Sequence, residues 1–205
     1  MNVWYKHYAR FAVFVVLAGI WGCKDGAPKR GETTFETAPA AISASESSTP
    51  DFSVGDKAPV FELLDLEDKK RSLSSFGGKV ILLNFWATWC GPCVAEMGSL
   101  ERLHKTHRDK GFEVVGINVD AEQNLEGVRK FARENGITFS ILRDPELTFP
   151  QVYNLTGFPE SLFIGKDGKF VAFADPAANS TGVRVVGDRA WDSPNFIKAV
   201  AELLK

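Results

Sequence analysis

The chain has 205 residues, of which 44% are hydrophobic and 24% charged, with a formal net charge of -2. That is enough apolar material for one domain of ordinary size plus extra segments, and it leaves no basic footprint for nucleic acid or for an anionic membrane. Three cysteines exclude a scaffold stapled by disulfides, so the core must come from hydrophobic burial.

The first elements in the chain address the protein rather than fold it. Lys6 and Arg10 precede an apolar run from Phe11 to Gly22. This run is shorter than the about 20 residues that span a bilayer comfortably. It ends at Ile20-Trp21-Gly22-Cys23 and turns polar at once with Lys24-Asp25. The arrangement resembles a bacterial lipobox, although Trp21 stands where a small residue is usual. The resemblance implies that residues 1–23 are a lipoprotein-type signal segment and that Cys23 is lipidated. The alternatives are an uncleaved signal anchor, or ordinary cleavage that leaves Cys23 a bystander. The lipidated and anchored readings both place the following domain outside the cytoplasm and on a membrane. Residues 24–55 are small, polar and proline-punctuated, and they read as a flexible linker.

Residues 56–205 carry alternating strand and helix patterns. Ala58–Asp65 reads as a short strand, Glu67–Lys70 as a turn and Ser72–Phe76 as a helical turn. Val80–Phe85 is nearly all apolar and short, as expected of a strand buried on both faces. A helix follows from about Pro92 to Lys110. Val94, Met97, Leu100, Leu103 and His104 recur on one face, and Gly111 ends it. Phe112–Asp120 reads as a second buried strand, and Leu125, Val128, Phe131 and Ala132 mark an amphipathic helix closed by Asn135-Gly136. Phe139–Leu142 is a short strand and Leu147–Tyr153 a short helix. Ser161–Ile164 and Lys169–Phe173 flank Lys166-Asp167-Gly168, which predicts a hairpin. A last helix runs from Ser193-Pro194 to Leu204, with Ser193 as N-cap. The order implies an α/β domain with a mixed central sheet flanked by helices.

The chemistry concentrates at Trp89-Cys90-Gly91-Pro92-Cys93, between a strand and a helix. Two cysteines so spaced can hold a metal or form a disulfide. A structural zinc wants four ligands. Beyond this pair the chain offers Cys23 and three histidines, and His7 lies in the signal segment. His104 is eleven residues past Cys93 on the same helix, about 16 Å away by helical rise. It cannot share a metal with Cys93, and His107 is further still; both read as surface or boundary residues. The pair therefore reads as a redox dithiol. Cys90 sits where backbone N–H groups and the helix dipole favour a thiolate, so it is the expected nucleophile. Cys93, one turn deeper, is the expected resolving thiol. Pro92 fits the first helical turn because no N–H is needed there.

Residues 56–205 resemble the thioredoxin-like superfamily, and within it the membrane-tethered extracytoplasmic TlpA/ResA/CcmG type. The stretch from Val80 to Cys93 carries most of the likeness. Gly157-Phe158-Pro159 resembles the cis-proline loop, Gly165–Lys169 the hairpin turn, and Trp191–Pro194 the start of the last helix. The resemblance implies a thioredoxin-like fold with an N-terminal strand extension and a central strand–helix insertion within Phe112–Tyr153. Glu96 matches an acid of this branch. Thioredoxin carries its buried acid in the preceding strand, where this chain has Asn84, so Glu96 becomes the expected proton handler. Pro159 is expected to be cis and to pack on the cysteine pair, leaving the Phe158 backbone free for an extended substrate. Trp89, Gly91 and Pro92 complete the expected substrate surface, with Trp86 structural. Phe158 and Glu160 depart from the usual pattern.

The Gly-Pro dipeptide between the cysteines is that of low-potential thioredoxin, which implies a reductase. No cofactor is expected beyond the Cys90/Cys93 disulfide, and no metal. The implied partners are a membrane thiol-transfer electron donor and client proteins with cysteine pairs, such as apocytochrome c or a copper site of a respiratory oxidase. Two alternatives remain: a peroxidase of the peroxiredoxin type, which lacks its usual proline-led loop here, and a copper-binding metallochaperone.

Overall fold

The structure is a computed structural model that describes residues 51–205. The signal segment, Cys23 and the linker up to residue 50 lie outside the described residues. The chain builds β1 (Glu62–Asp65), β2 (Lys70–Ser72), β3 (Val80–Trp86), α1 (Gly91–His107), β4 (Phe112–Asn118), α2 (Leu125–Glu134), β5 (Ser140–Arg143), α3 (Thr148–Val152) and β6 (Glu160–Ile164). It then adds β7 (Phe173–Asp175), β8 (Ser180–Gly182), β9 (Arg184–Val186) and α4 (Pro194–Leu203). Seven strands form one mixed sheet in the order β2-β1-β5-β4-β3-β6-β9. The pairs β3/β4 and β4/β5 are parallel, and the others are antiparallel.

Strand β3 lies inside the sheet, between β4 and β6, and every residue in it is buried. Successive side chains point to opposite faces, so its two sets enter two different cores. Val80, Leu82 and Trp86 join Met97, Leu100 and Leu103 of α1, Val128 of α2, and Phe196 and Val200 of α4. Ile81, Leu83 and Phe85 join Phe61, Tyr153 and Phe170 on the other face. Asn84 shares the parity of Leu82 and Trp86, and it therefore faces α1. Gly111 stops the α1 region in a left-handed conformation (φ 85°) that a side chain would resist.

Three expectations need correction. The segment after β6 turns back at Gly165–Lys169 as expected, with an antiparallel Ile164–Phe170 bridge and the Val171 N–H donating to the Phe163 carbonyl at 3.0 Å, but the hairpin ends there. It then pairs Phe173–Asp175 with Ser180–Gly182 as a separate ribbon, and β9 takes the place beside β6. The domain also begins before residue 56. The Phe52 ring packs 4.6 Å from that of Phe170, and Gly55 N–H donates to the Phe170 carbonyl at 2.9 Å. Finally, His104 and His107 are buried, not at the surface. His104 Nε2 lies 3.3 Å from Glu113 on β4, and His107 meets the Phe112 ring edge-on. Arg102 and Lys105 on α1 look outward, whereas β4 packs on these two histidines.

Candidate active site

Cys90 is the N-cap of α1 and Pro92 lies in its first turn. Cys90 and Cys93 form a disulfide, with their Cα atoms 5.3 Å apart. The Cys93 N–H points at Cys90 Sγ, 3.3 Å away. A free amide at the helix start therefore aims at the sulfur expected to become a thiolate. Cys90 retains 7% exposure and Cys93 none, which leaves Cys90 as the sulfur a second molecule can reach. Gly91, Pro92 and Trp89 are exposed around it, Trp89 at 64%. Trp86 is fully buried.

The Phe158–Pro159 peptide bond is cis, and Pro159 opens the turn into β6. The Phe158 ring meets the Trp89 indole edge-on at 5.9 Å, so the two predicted contact residues form one apolar rim. Glu160, the departure beside the proline, has a structural role. Its buried carboxylate accepts from the N–H and hydroxyl of Thr156 at 2.9 and 3.0 Å, and it pairs with Arg184 on β9. That pins both ends of the proline loop to the sheet.

Glu96 is one helical turn beyond Cys93 and only 2% exposed. Its Oε1 accepts from Asn84 Nδ2 at 2.9 Å. Its Oε2 accepts from Trp191 Nε1 at 2.8 Å and from the Arg189 N–H at 3.1 Å. Burial pushes its pKa up, the bonds from Trp191, Asn84 and Arg189 pull it down, and the charge of Asp188 adds a further push. The outcome is about 7, where a carboxyl can both take and release a proton. Asn84 also donates to Ser161 Oγ at 3.0 Å, which ties this cluster to β6.

A second carboxylate supports the loop ahead of Cys90. Asp120 follows β4 and is 5% exposed. One oxygen accepts from the Thr88 N–H and Asn118 Nδ2, both at 2.8 Å. The other accepts from the Thr88 hydroxyl and Asn124 Nδ2. Burial alone would raise Asp120, but the Thr88, Asn124 and Asn118 bonds outweigh it and hold the group below its ordinary range. Asp120→Ala should strip these donors of their acceptor and cost about 2–4 kcal/mol. Urea unfolding of the oxidised protein should show a lower midpoint; an unchanged midpoint would mean that water replaces the carboxylate.

Sequence reasoning missed Asp120, Ser161, Arg189 and the contact of Trp191 with Glu96. The bonds to Glu96 from Arg189 and Trp191 cross 93 and 95 positions, and nothing in local spacing marks them.

A helix-capping cysteine paired with a second cysteine, on a thioredoxin-like sheet that also carries a cis-proline, defines a thiol–disulfide oxidoreductase. Residues 54–173 match the AhpC/TSA family, and the chain belongs to it. The thiol-disulfide oxidoreductase ResA of Bacillus thuringiensis subsp. konkukian is 36% identical over 118 residues, 58% of this chain and 67% of that protein. ResA of Geobacillus thermodenitrificans is 39% identical over 116 residues, 57% and 66% of the two chains. Among solved structures, a thioredoxin-family thiol:disulfide interchange protein from Chlorobium tepidum is 29% identical with a TM-score of 0.58. The alignment covers 73% of this chain and 97% of that one. A second Chlorobium tepidum protein, proposed to be the interchange protein DsbE, reaches 30% and 0.63, over 76% of this chain and 100% of that one.

Proposed function

We propose that the protein is an extracytoplasmic, membrane-tethered reductase of client-protein disulfides. The observation that carries the reading is Glu96, buried one turn past Cys93 with a pKa of about 7. In the reduced protein the Cys90 thiolate attacks a client disulfide. A mixed disulfide forms and one client sulfur leaves as a thiolate, which takes a proton from water. Glu96 accepts the Cys93 proton, and the Cys93 thiolate attacks Cys90 Sγ. The second client sulfur leaves, and two electrons have passed from Cys90/Cys93 to the client. No further cofactor enters. A membrane dithiol donor restores the pair by the same exchange in reverse. Trp89 and Phe158 would hold the client chain, and its backbone would pair with that of Phe158.

Tethering rests on the lipobox-like run ending at Cys23. Among the described residues no helix is long and apolar enough to cross a membrane. Reduction outside the cytoplasm suits clients whose cysteines must stay open in an oxidising compartment, such as haem-attachment or copper-site cysteines. Equilibration against a dithiol buffer should give a reduction potential in the range of thioredoxin, about -270 mV. A value near that of DsbA, about -120 mV, would make the protein an oxidant instead.

A further inference from the structure

The part of the chain that closes over Glu96 lies beyond the family match, which ends at Phe173. From there the chain makes the β7–β8 ribbon, then β9, then the loop that brings Arg189 and Trp191 to Glu96. Two of the three donors on the carboxylate thus come from one loop. That loop is tied back to the ribbon. Arg189 Nε and Nη2 donate to Asp175 Oδ2 at 3.0 and 2.8 Å. Asp175 ends β7 and is 4% exposed; its Oδ1 accepts from the N–H groups of Ala177 and Ala178 in the ribbon turn. From the helix side, Ser99 Oγ shares its one proton between the Glu96 carbonyl at 2.8 Å and the Arg189 carbonyl at 3.1 Å, and it accepts from the Trp191 N–H at 3.2 Å.

We propose that the Asp175–Arg189 ion pair is a latch. It holds the loop donors on Glu96, and through them the ribbon sets how readily Glu96 takes up the Cys93 proton. Asp175 and Arg189 are positioning residues; the inference rests on the proton-acceptor reading of Glu96. The groups facing Glu96 are Asn84 from β3, Ser161 from β6 behind it, Cys93 and Ser99 on its own helix, and Asp188, Arg189 and Trp191 from the loop. The Arg189 guanidinium is directed at Asp175, so only its backbone N–H serves the carboxylate. The Asp188 charge disfavours ionisation, and the latch keeps the opposing donors in place. Breaking a largely buried ion pair leaves an uncompensated charge that the loop must move to solvate. Such movement carries the Arg189 N–H and Trp191 Nε1 away from the carboxylate.

The test follows the Glu96 carboxyl by carbon-13 NMR across pH in the wild type and in Asp175→Asn, Arg189→Met and Arg189→Lys. The latch predicts that Asp175→Asn and Arg189→Met both raise the Glu96 midpoint, by about one pH unit, the scale of one lost bond to a charged group. Arg189→Lys, which keeps the charge but not the two-pronged grip, should raise it less. The Trp191 indole and Arg189 amide should exchange faster with solvent in all three. If the pair acted only through its charges, Asp175→Asn would lower the midpoint, Arg189→Met would raise it, and Arg189→Lys would leave it unmoved. That pattern, or an unmoved midpoint throughout, overturns the latch. Should Arg189→Met fail to fold, Arg189→Lys and Asp175→Asn still separate the two patterns. A raised midpoint that the pH profile of disulfide exchange does not follow would leave the latch standing and remove Glu96 from proton transfer.

Discussion

Cys93→Ser should convert the enzyme into a trap. The Cys90 thiolate still attacks a disulfide, but no resolving thiol remains, so the mixed disulfide persists on Cys90. Turnover of an insulin disulfide should fall by more than about 10³-fold, on the scale of losing part of a catalytic unit that works together. Cys90→Ser should fall as far and should accumulate no adduct, because Cys93 has no exposed surface. Non-reducing electrophoresis and mass spectrometry read both results. Adducts that form on Cys90→Ser in place of Cys93→Ser would reverse the two roles. The trapping variant also identifies clients when it is expressed in the native envelope.

Glu96→Gln has the second largest expected effect, and it appears in two measurements. A buried amide cannot take the Cys93 proton, so resolution of the mixed disulfide should slow by about 10²-fold, the low end of general-base contributions. The inflection near pH 7 should vanish from the rate profile. Because Glu96 and Cys93 sit one turn apart, that inflection belongs to the pair in the reduced protein. An unchanged profile would reduce Glu96 to a structural acid. Stability should respond as well. The folded protein keeps a proton on Glu96 up to about pH 7, whereas the unfolded chain releases it near 4.5. The native state thus binds more protons in that window, and stability declines as pH rises through it, then levels off. The decline is about 3 kcal/mol for a shift of this size, and Glu96→Gln should lack it. Burial also lowers the His107 pKa, with help from Lys110, which makes the opposite contribution as pH falls through the ordinary histidine range. Comparing the wild type with Glu96→Gln cancels that background in urea unfolding at pH 5 and pH 8.

The parts of the site legible in the sequence are those whose physics is local. The run Val80–Phe85, apolar except for Asn84, marked β3, and a proline in the first turn marked the start of α1. The family resemblance singled out Glu96, and its spacing set it one helical turn from Cys93. Its surroundings were not legible, because the donors from Arg189 and Trp191 arrive from a segment with no periodicity. The early end of the hairpin has a related cause. Strands β7, β8 and β9 are three residues each, too short for alternation to show, and Phe173 could serve either pairing. His104 and His107 sit among charged neighbours that suggest an exposed face, and only their tertiary contacts show that they are covered. Asp120 gave no signal of its own, since an acid after a buried strand is usually a solvated turn residue.

The borders of the sheet carry one more consequence. Both edge strands, β2 and β9, are three residues long, and β2 displays Lys70 and Arg71. Partly unfolded polypeptides with open cysteines are the material most prone to extend an exposed ladder. Short and partly basic margins give such chains little to grow on. A chain that meets either margin should therefore be released rather than added to the sheet.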